Sequence, residues 1–181
     1  KVRLKGDREM HYNDITKLSF RVALKGTDIL WGMKKFSLHK PRVRNYIYEW
    51  LVLEMMNYEG IIAPKYKFIN LSLNGKDLGI YALEEHYNKF LLERYRHREG
   101  PIVRFSEDFG TDYKKSVVIP YEKKKWSSPE NLPVTERAIH LLEKFSHGKT
   151  GVEEVFELSK LAKFYAILDL FIAHHGYGSK S

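Results

Sequence analysis

Basic side chains recur at the polar positions of two predicted strands near the start of the chain. In the stretch KLSFRVALKG, apolar residues alternate with Lys17, Arg21 and Lys25, which is the period of a half-buried strand. The next predicted strand, GMKKFSLHK, carries Lys34 and Lys35. Lysines on one face of a sheet can hold phosphate groups as point charges. A solvated strand face gives the same pattern, so both interpretations stand at this stage.

Two adjacent carboxylates, Glu84 and Glu85, end a predicted β-hairpin. Asn74-Gly75 supplies the positive φ that a tight hairpin turn requires. The apolar positions predicted for the two strands are Ile69, Leu71 and Leu73, then Leu78, Ile80 and Ala82. A helix, HYNKFLLERYRHRE, is predicted directly afterwards, and acids in its first turn would complement the helix dipole.

The longest predicted helix in the first half covers residues 41–59 and ends before Gly60, with a proline at its first position. Its first turn contains Arg44, although positive charge there opposes the helix dipole. An anion bound at this helix end would explain the arginine. Glu49 and Glu54 lie further along the same helix.

Several familiar catalytic signatures are absent from the sequence. It contains no G-x-G-x-x-G, G-x-x-x-x-G-K-[ST], H-E-x-x-H or G-x-S-x-G motif, and no cysteine, which excludes disulfides, thiolate metal sites and cysteine nucleophiles. The tripeptide DFG at 108–110 precedes both large helices and follows no H-R-D, so a polar turn explains it better than a metal site. His174-His175 is interpreted as a helix-end pair.

The composition describes a folded, basic protein. The chain has 181 residues, 43% of them apolar, a net charge of +8 and a pI near 9.4. No apolar run is long enough to predict a transmembrane helix. The charge suits an anionic partner, although solubility alone would also account for it. Aromatic residues fall mainly on apolar faces rather than on a stacking platform, which disfavours nucleic acid.

The order of predicted elements is strands, a helix, a hairpin and then mostly helices. This order predicts an α+β protein with a sheet-rich first lobe, residues 1–86, and a helical second lobe, residues 87–181. Residues 106–133 are predicted to be a long loop, and helices are predicted at 134–145 and 153–176. The last helix is apolar on most sides, which predicts a further layer of structure to cover it.

Four sequence patterns in order resemble the spore coat protein H (CotH) kinase family. They are Lys5-Gly6 after the first strand, the strand motif Lys17 to Phe20, Arg44-Asn45 at a helix start, and N-G-x-x-x-G-x-Y-x-L from Asn74, closing on Glu84 or Glu85. The resemblance is close over residues 1–105 and looser beyond.

This resemblance implies a divergent protein-kinase-like fold that binds ATP with Mg²⁺ or Mn²⁺ between two lobes and transfers phosphate to Ser or Thr of a protein. Lys17, or alternatively Lys35, would be the phosphate-binding lysine, with Glu49 or Glu54 as its helix partner. The strand end at 82–86 would be the hinge beside the adenine and ribose, where a carboxylate of the pair Glu84-Glu85 can accept hydrogen bonds from ribose hydroxyls.

The catalytic and metal-binding acids of this family lie beyond the long helix. In this chain Asp169 is the only acid in the last turns, which makes it the candidate catalytic residue, although a paired carboxylate between two leucines would look the same. The chain is therefore expected to be a fragment with an incomplete second lobe. The alternative is a catalytically inactive binding or adhesion module on the same scaffold. A spore-coat or cell-surface location is suggested by the resemblance alone.

Overall fold

The computed structural model describes residues 1–5, 18–106 and 117–173, and the chain divides into two compact units. The first unit consists of Lys1–Tyr58 and Ile62–His97, and the second of Glu59–Ile61 and Arg98–Ser181. Strands dominate the first unit and helices the second, so the predicted α+β class is confirmed. The identification of these units with kinase lobes, including the predicted division at residue 86, stays a prediction.

A five-stranded antiparallel sheet forms the centre of the first unit. Its strands lie side by side in the order β1-β2-β3-β5-β4. They are β1 (Val2–Leu4), β2 (Phe20–Ala23), β3 (Lys35–His39), β4 (Tyr66–Leu73) and β5 (Lys76–Glu85). The non-local pairing of β3 with β5 joins the first three strands to the hairpin in one sheet.

One face of this sheet is apolar. Its buried residues are Met33, Phe36, Leu38, Tyr81 and Leu83, with Phe20, Val22 and Ile69 packed against them. Leu38 lies directly opposite Leu83, and Phe20 opposite Leu38. Because cross-strand partners point to the same side of a sheet, these pairs form one continuous core layer.

The predicted hairpin turn is confirmed, and Leu78 packs against the apolar core as predicted, but the side predicted for Ile80 and Ala82 is wrong. Asn74 and Gly75 have φ angles of 52° and 78°, as a tight turn requires. The register then shifts between Asn70 and Ser72, and Gly79 has a φ of 70°. This bulge inserts one residue, so the alternation is reversed after it. Ile80 is consequently exposed, whereas the neighbouring Tyr81 is buried in the core.

The helix predicted at 41–59 is also shorter than expected. A 3-10 turn covers Pro41–Arg44, and the α-helix, α1, covers only Tyr48–Tyr58. Asn45 and Tyr46 separate the two, with φ angles of 50° and 58°. Left-handed residues cannot continue a right-handed helix, and asparagine adopts this conformation more readily than most residues do.

The next helix, α2, covers Lys89–Arg94 rather than the predicted stretch from His86. It begins at Asn88, whose Oδ1 accepts a hydrogen bond from the Phe90 amide at 2.9 Å. Glu84 and Glu85 therefore belong to β5, and the alternative in which they open the following helix is wrong.

The second unit contains a two-stranded sheet and four helices within residues 59–61, 98–106 and 117–173. Strands β6 (Val103–Phe105) and β7 (Val118–Pro120) pair antiparallel. The helices are α3 (Lys123–Trp126), α4 (Leu132–Ser146), α5 (Val152–Val155) and α6 (Leu158–Leu170).

Two predictions for the second unit need correction. The predicted loop at 106–133 contains β7 and α3, and the predicted last helix is divided at Phe156, whose φ of −125° and ψ of 147° are extended. DFG at 108–110 and His174-His175 lie outside the described residues. No helix in the described part of the chain is long and apolar enough to cross a membrane.

Candidate functional site

The sheet face opposite the apolar core carries charged and polar side chains. One transverse row crosses all five strands, because each residue lies opposite the next: Arg3, Arg21, Ser37, Glu84 and Tyr66. Lys35 and His39 lie on the same side of β3. Lys5, whose amide donates a hydrogen bond to the Ser19 carbonyl, lies on the same side as Arg3. We call these residues, together with His86, the polar face.

An ion pair lies at the centre of the polar face. The Nζ of Lys5 donates a hydrogen bond to Oε2 of Glu84 at 2.9 Å, and the two side chains are 17% and 18% exposed. The Nε2 of the buried His39 lies 3.4 Å from the same oxygen. At that separation a charge attraction acts when the imidazole is protonated, but a well-formed hydrogen bond does not.

The charges around Glu84 keep it ionised. Burial alone would raise the pKa of this carboxyl, because it disfavours the charged form. The contact with His39, the pairing with Lys5 and the charge of Arg44 outweigh burial and hold the pKa of Glu84 well below its usual range. Glu84 is therefore an anion within a largely cationic surface.

Helix α1 adds a second carboxylate to this surface. Glu49 lies in the first turn of α1, within electrostatic range of Arg44, Glu84, His39 and Lys5. Burial raises the pKa of Glu49, and Arg44 partly offsets that effect. The break at Asn45 sets where α1 begins, and so where Glu49 lies relative to the sheet.

Three buried polar atoms at this face have no hydrogen-bond partner among the described residues. They are Nε of Arg21, Nε2 of His39 and the hydroxyl of Tyr66. The His39 and Tyr66 rings are in edge contact, with centroids 5.8 Å apart, and both residues are almost wholly buried. Because buried polar groups are normally hydrogen-bonded, a polar ligand that reached them would satisfy these atoms.

The cationic side chains shape the titration of His86, which follows β5 directly. Burial lowers the pKa of His86 from its ordinary 6.5 to about 4. The charges of Arg21, Lys35 and Lys5 also lower this pKa, whereas the charge of Glu84 raises it. Lys35 therefore lies within electrostatic range of the polar face, as its place in β3 requires. His86 is neutral at physiological pH.

Glu85 lies on the opposite side of the sheet and has a structural role. Its Oε2 accepts hydrogen bonds from the Lys65 amide at 2.8 Å and from the Arg94 guanidinium at 2.6 Å. The Glu85 side chain is 1% exposed. It connects the end of β5 to α2 and to the residue that precedes β4, so its Oε2 is used within the protein.

The structure brings together only some of the residues selected from the sequence. Glu84, Glu49, Arg44 and Lys35 share the polar-face region. The other candidates lie elsewhere. Glu54 is exposed on α1, Asp169 is exposed on α6 in the second unit, and Lys17 lies outside the described residues. Within the described ranges, no group of three or more acidic, histidine or cysteine side chains could hold a metal ion.

Sequence reasoning missed four contributors to this surface: Lys5 as a partner of Glu84, and Arg3, His39 and Tyr66. Alternation along KFSLH places His39 on the same side as Lys35, so that residue could have been found. The ion pair of Lys5 and Glu84 joins residues 79 apart and depends on the sheet order, which has no local sequence signal.

The polar face has the chemistry of an anion site. Five cationic side chains (Arg3, Lys5, Arg21, Lys35 and Arg44) and two carboxylates, Glu49 and Glu84, contribute to this region. The resulting excess of positive charge, partly desolvated, favours a multiply charged anion such as a polyphosphate.

Comparison with known proteins agrees with the motifs of the first half and extends beyond them. A search of curated protein sequences found no match. The family model described as CotH kinase protein matches residues 2–177, which is nearly the whole chain and includes both units. The chain therefore belongs to the CotH kinase protein family.

Proposed function

We propose that this chain belongs to an ATP-dependent protein kinase of the CotH type, which transfers phosphate to Ser or Thr of a protein. Family membership suggests ATP-dependent phosphotransfer in general. The observation that carries the proposal is the polar face, where cationic side chains from β1, β2 and β3 and from the turn before α1 lie around Glu84.

The charge balance supports binding of the ATP phosphates. Nucleotide triphosphates carry several negative charges, and the polar face offers an excess of positive ones. The unpartnered Nε of Arg21 and the Tyr66 hydroxyl are polar groups that a ligand would satisfy. Catalysis of phosphoryl transfer depends mainly on such positioning and electrostatic stabilisation.

We assign a phosphate contact to Lys35, which lies on this face, and to Glu49 the place of the helix carboxylate near the phosphate-binding cations. Glu54 is a weaker candidate for that place because it is exposed. To Lys17, which lies outside the described residues, we assign a phosphate contact from the family motif alone. Divalent metal would accompany ATP as Mg²⁺ or Mn²⁺, but the described residues do not form a metal-binding cluster, so we derive no step through the metal.

The proposed reaction is balanced as a direct transfer. The acceptor hydroxyl oxygen bonds to the γ-phosphorus, the bond from that phosphorus to the β,γ-bridging oxygen breaks, and ADP leaves with the electron pair. The hydroxyl proton passes to a carboxylate, for which Asp169 is the candidate.

The experiment measures transfer of labelled γ-phosphate from ATP to protein with Mg²⁺ or Mn²⁺, using the full-length protein that carries this chain. Lys17→Ala and Lys35→Ala are expected to reduce transfer, roughly 10-fold or more if each loses a charge-assisted phosphate contact. Lys76→Ala, which changes an exposed lysine beside the hairpin turn, is the matched control and should leave transfer unchanged.

One result of this experiment would contradict the kinase proposal. A folded wild-type protein that neither binds ATP nor transfers its phosphate with either metal would contradict the kinase proposal. It would favour the binding or adhesion module, in which the same scaffold carries no catalysis.

A further inference from the structure

The central ion pair of the polar face joins two distant strands. Lys5 follows β1 at the edge of the sheet, and Glu84 lies near the end of β5, with β2 and β3 between them. The 2.9 Å contact therefore spans the intervening strands. Those strands carry Ser19 and Ser37 at neighbouring positions of this side, and both serines are buried. Small side chains there leave room for the lysine to reach Glu84.

The ribose role that the place of Glu84 at a strand end suggests competes with a contact inside the protein, because Oε2 of Glu84 is already engaged. A carboxylate that binds ribose accepts hydrogen bonds from sugar hydroxyls and needs acceptor positions that face them. In this structure Oε2 of Glu84 faces the Lys5 ammonium, and His39 is only 3.4 Å from the same atom. The neighbouring Glu85 is held by Arg94 and the Lys65 amide on the other side of the sheet.

Lys5 is well suited to a phosphate. Its ammonium group carries three N–H donors, so one can remain on Glu84 while others reach a ligand. The side chain is 17% exposed, which shows that part of it faces outward from the sheet. A lysine held by a fixed carboxylate loses less conformational freedom on binding than a mobile surface lysine does.

We infer that Lys5 binds the phosphates of ATP and that Glu84 is the positioning residue that holds Lys5 in place, rather than a ligand of the ribose. This inference rests on the nucleotide binding proposed above. It adds Lys5 to the phosphate-binding lysines and gives Lys5 a carboxylate partner on β5, besides Glu49 of α1. Glu84 then acts on the phosphates only through Lys5.

The test measures dissociation constants by calorimetry for ATP, adenosine and 2′,3′-dideoxy-ATP. Lys5→Met is expected to weaken ATP binding by roughly 10- to 100-fold, the loss typical of one charge-assisted contact, and to leave adenosine binding unchanged. Glu84→Gln should weaken ATP binding by a smaller factor. Because Glu84 acts through Lys5, the double variant should bind ATP no more weakly than Lys5→Met does.

The ribose analogue separates the two roles of Glu84. If Glu84 only positions Lys5, the Glu84→Gln variant keeps the wild-type ratio of ATP to dideoxy-ATP affinity. If Glu84 binds the ribose, that ratio falls towards one, and the inference is wrong. Unchanged ATP binding by a folded Lys5→Met variant would also overturn it.

Controls distinguish this inference from the proposed function itself. Lys76→Met and Glu93→Gln change exposed charges on β5 and α2, and both should bind ATP as the wild type does. Thermal melting checks that each variant is folded. Wild-type protein that does not bind ATP would overturn the kinase proposal and, with it, this inference, whereas ATP binding that is insensitive to Lys5 would overturn the inference alone.

Discussion

Two adjacent glutamates of β5 have opposite surroundings because successive strand residues point to opposite sides of the sheet. Glu84 lies on the polar face beside Lys5, whereas Glu85 lies on the other side and accepts hydrogen bonds from Arg94 and Lys65. The acidic pair therefore combines one carboxylate of the candidate site with one that stabilises the fold. Substitution of Glu84 should therefore affect ligand binding, whereas substitution of Glu85 should affect stability.

Glu85→Gln is expected to lower the free energy of unfolding by about 2 kcal/mol. The change removes the negative charge that pairs with Arg94 and leaves a partly buried guanidinium without it. This is below the 3–5 kcal/mol typical of broken buried pairs, because the Arg94 side chain is 25% exposed. Urea denaturation measures the difference.

Glu93→Gln is the matched control for Glu85→Gln. Glu93 forms an exposed pair with Lys89 at 3.8 Å on the same helix as Arg94, and such pairs contribute little. Its variant should stay within about 0.5 kcal/mol of the wild type. Equal effects of the two substitutions would show that burial of Glu85 does not determine its contribution.

The lowered pKa of His86 leads us to expect a smaller free energy of unfolding in mild acid. Its pKa is about 4 in the folded protein because burial, Arg21 and Lys35 disfavour the charged imidazole, against an ordinary 6.5. Between these values the unfolded chain binds a proton that the folded chain does not. The free energy of unfolding therefore falls as pH decreases through this window, by at most about 1.4 kcal/mol per pH unit.

The measurement compares the wild type with His86→Gln in urea at several pH values from 7 to 4. The glutamine variant should show a shallower pH dependence above pH 4, because it has no imidazole to protonate. Parallel curves for the two proteins would mean that His86 titrates equally in both states.

Among the helices, strands and turns, the sequence predicted those features that depend on residues adjacent in the chain. Asn74-Gly75 predicted its turn because the positive φ required there is a local property. The bulge at Gly79 was not predicted, since a lone glycine in a strand indicates either close packing or a bulge, and only pairing with β4 decides. The side-chain directions assigned beyond it were wrong for that reason.

Gly79→Ala is expected to destabilise the protein by about 1–2 kcal/mol. The φ of 70° at this bulge lies in the left-handed region, where a Cβ is unfavourable by roughly that amount. Gly100→Ala is the control, because a Cβ at Gly100 meets open space and its backbone is not left-handed. Chemical denaturation of the two variants measures the difference, and an unaffected Gly79→Ala variant would argue against the bulge.

The interruption before α1 gives a matched pair of substitutions at one exposed position. Asn45 has a φ of 50°, so Asn45→Gly should be tolerated, whereas the β-branched Asn45→Val should cost about 1–2 kcal/mol. The comparison is made by denaturant unfolding. If valine were tolerated as well as glycine, the left-handed break would not be required, and a continuous helix over 41–59 would again be the better description.

For the molecule as a whole, the sequence predicted more of the composition of the site than of its geometry. The family motifs, and the helix role implied with them, selected Arg44, Glu84 or Glu85, and Glu49 or Glu54. Of these, Arg44, Glu84 and Glu49 lie in one region of the first unit. They did not reveal the pairing of Lys5 with Glu84, because that contact depends on the order of four strands. Local patterns predict elements well, whereas contacts between distant strands require the sheet register.

The division into two units leads to a prediction about where ATP acts. The polar face belongs entirely to the first unit, so bound phosphates should stabilise β1, β2, β3, β5 and α1 directly. A ligand at 100 times its dissociation constant stabilises the state that binds it by about 2.7 kcal/mol. Hydrogen exchange with saturating ATP should therefore slow most at amides of these elements.

The pattern of protection tests whether the polar face is the phosphate site. Inorganic tripolyphosphate should slow exchange in the same five elements, because it offers the same charges without the base and sugar. The Lys5→Met variant should lose much of that protection, whereas Lys76→Met should keep it. Protection confined to α4 and α6 would instead place the anion in the second unit. The excess charge of the polar face would then serve a purpose other than nucleotide binding.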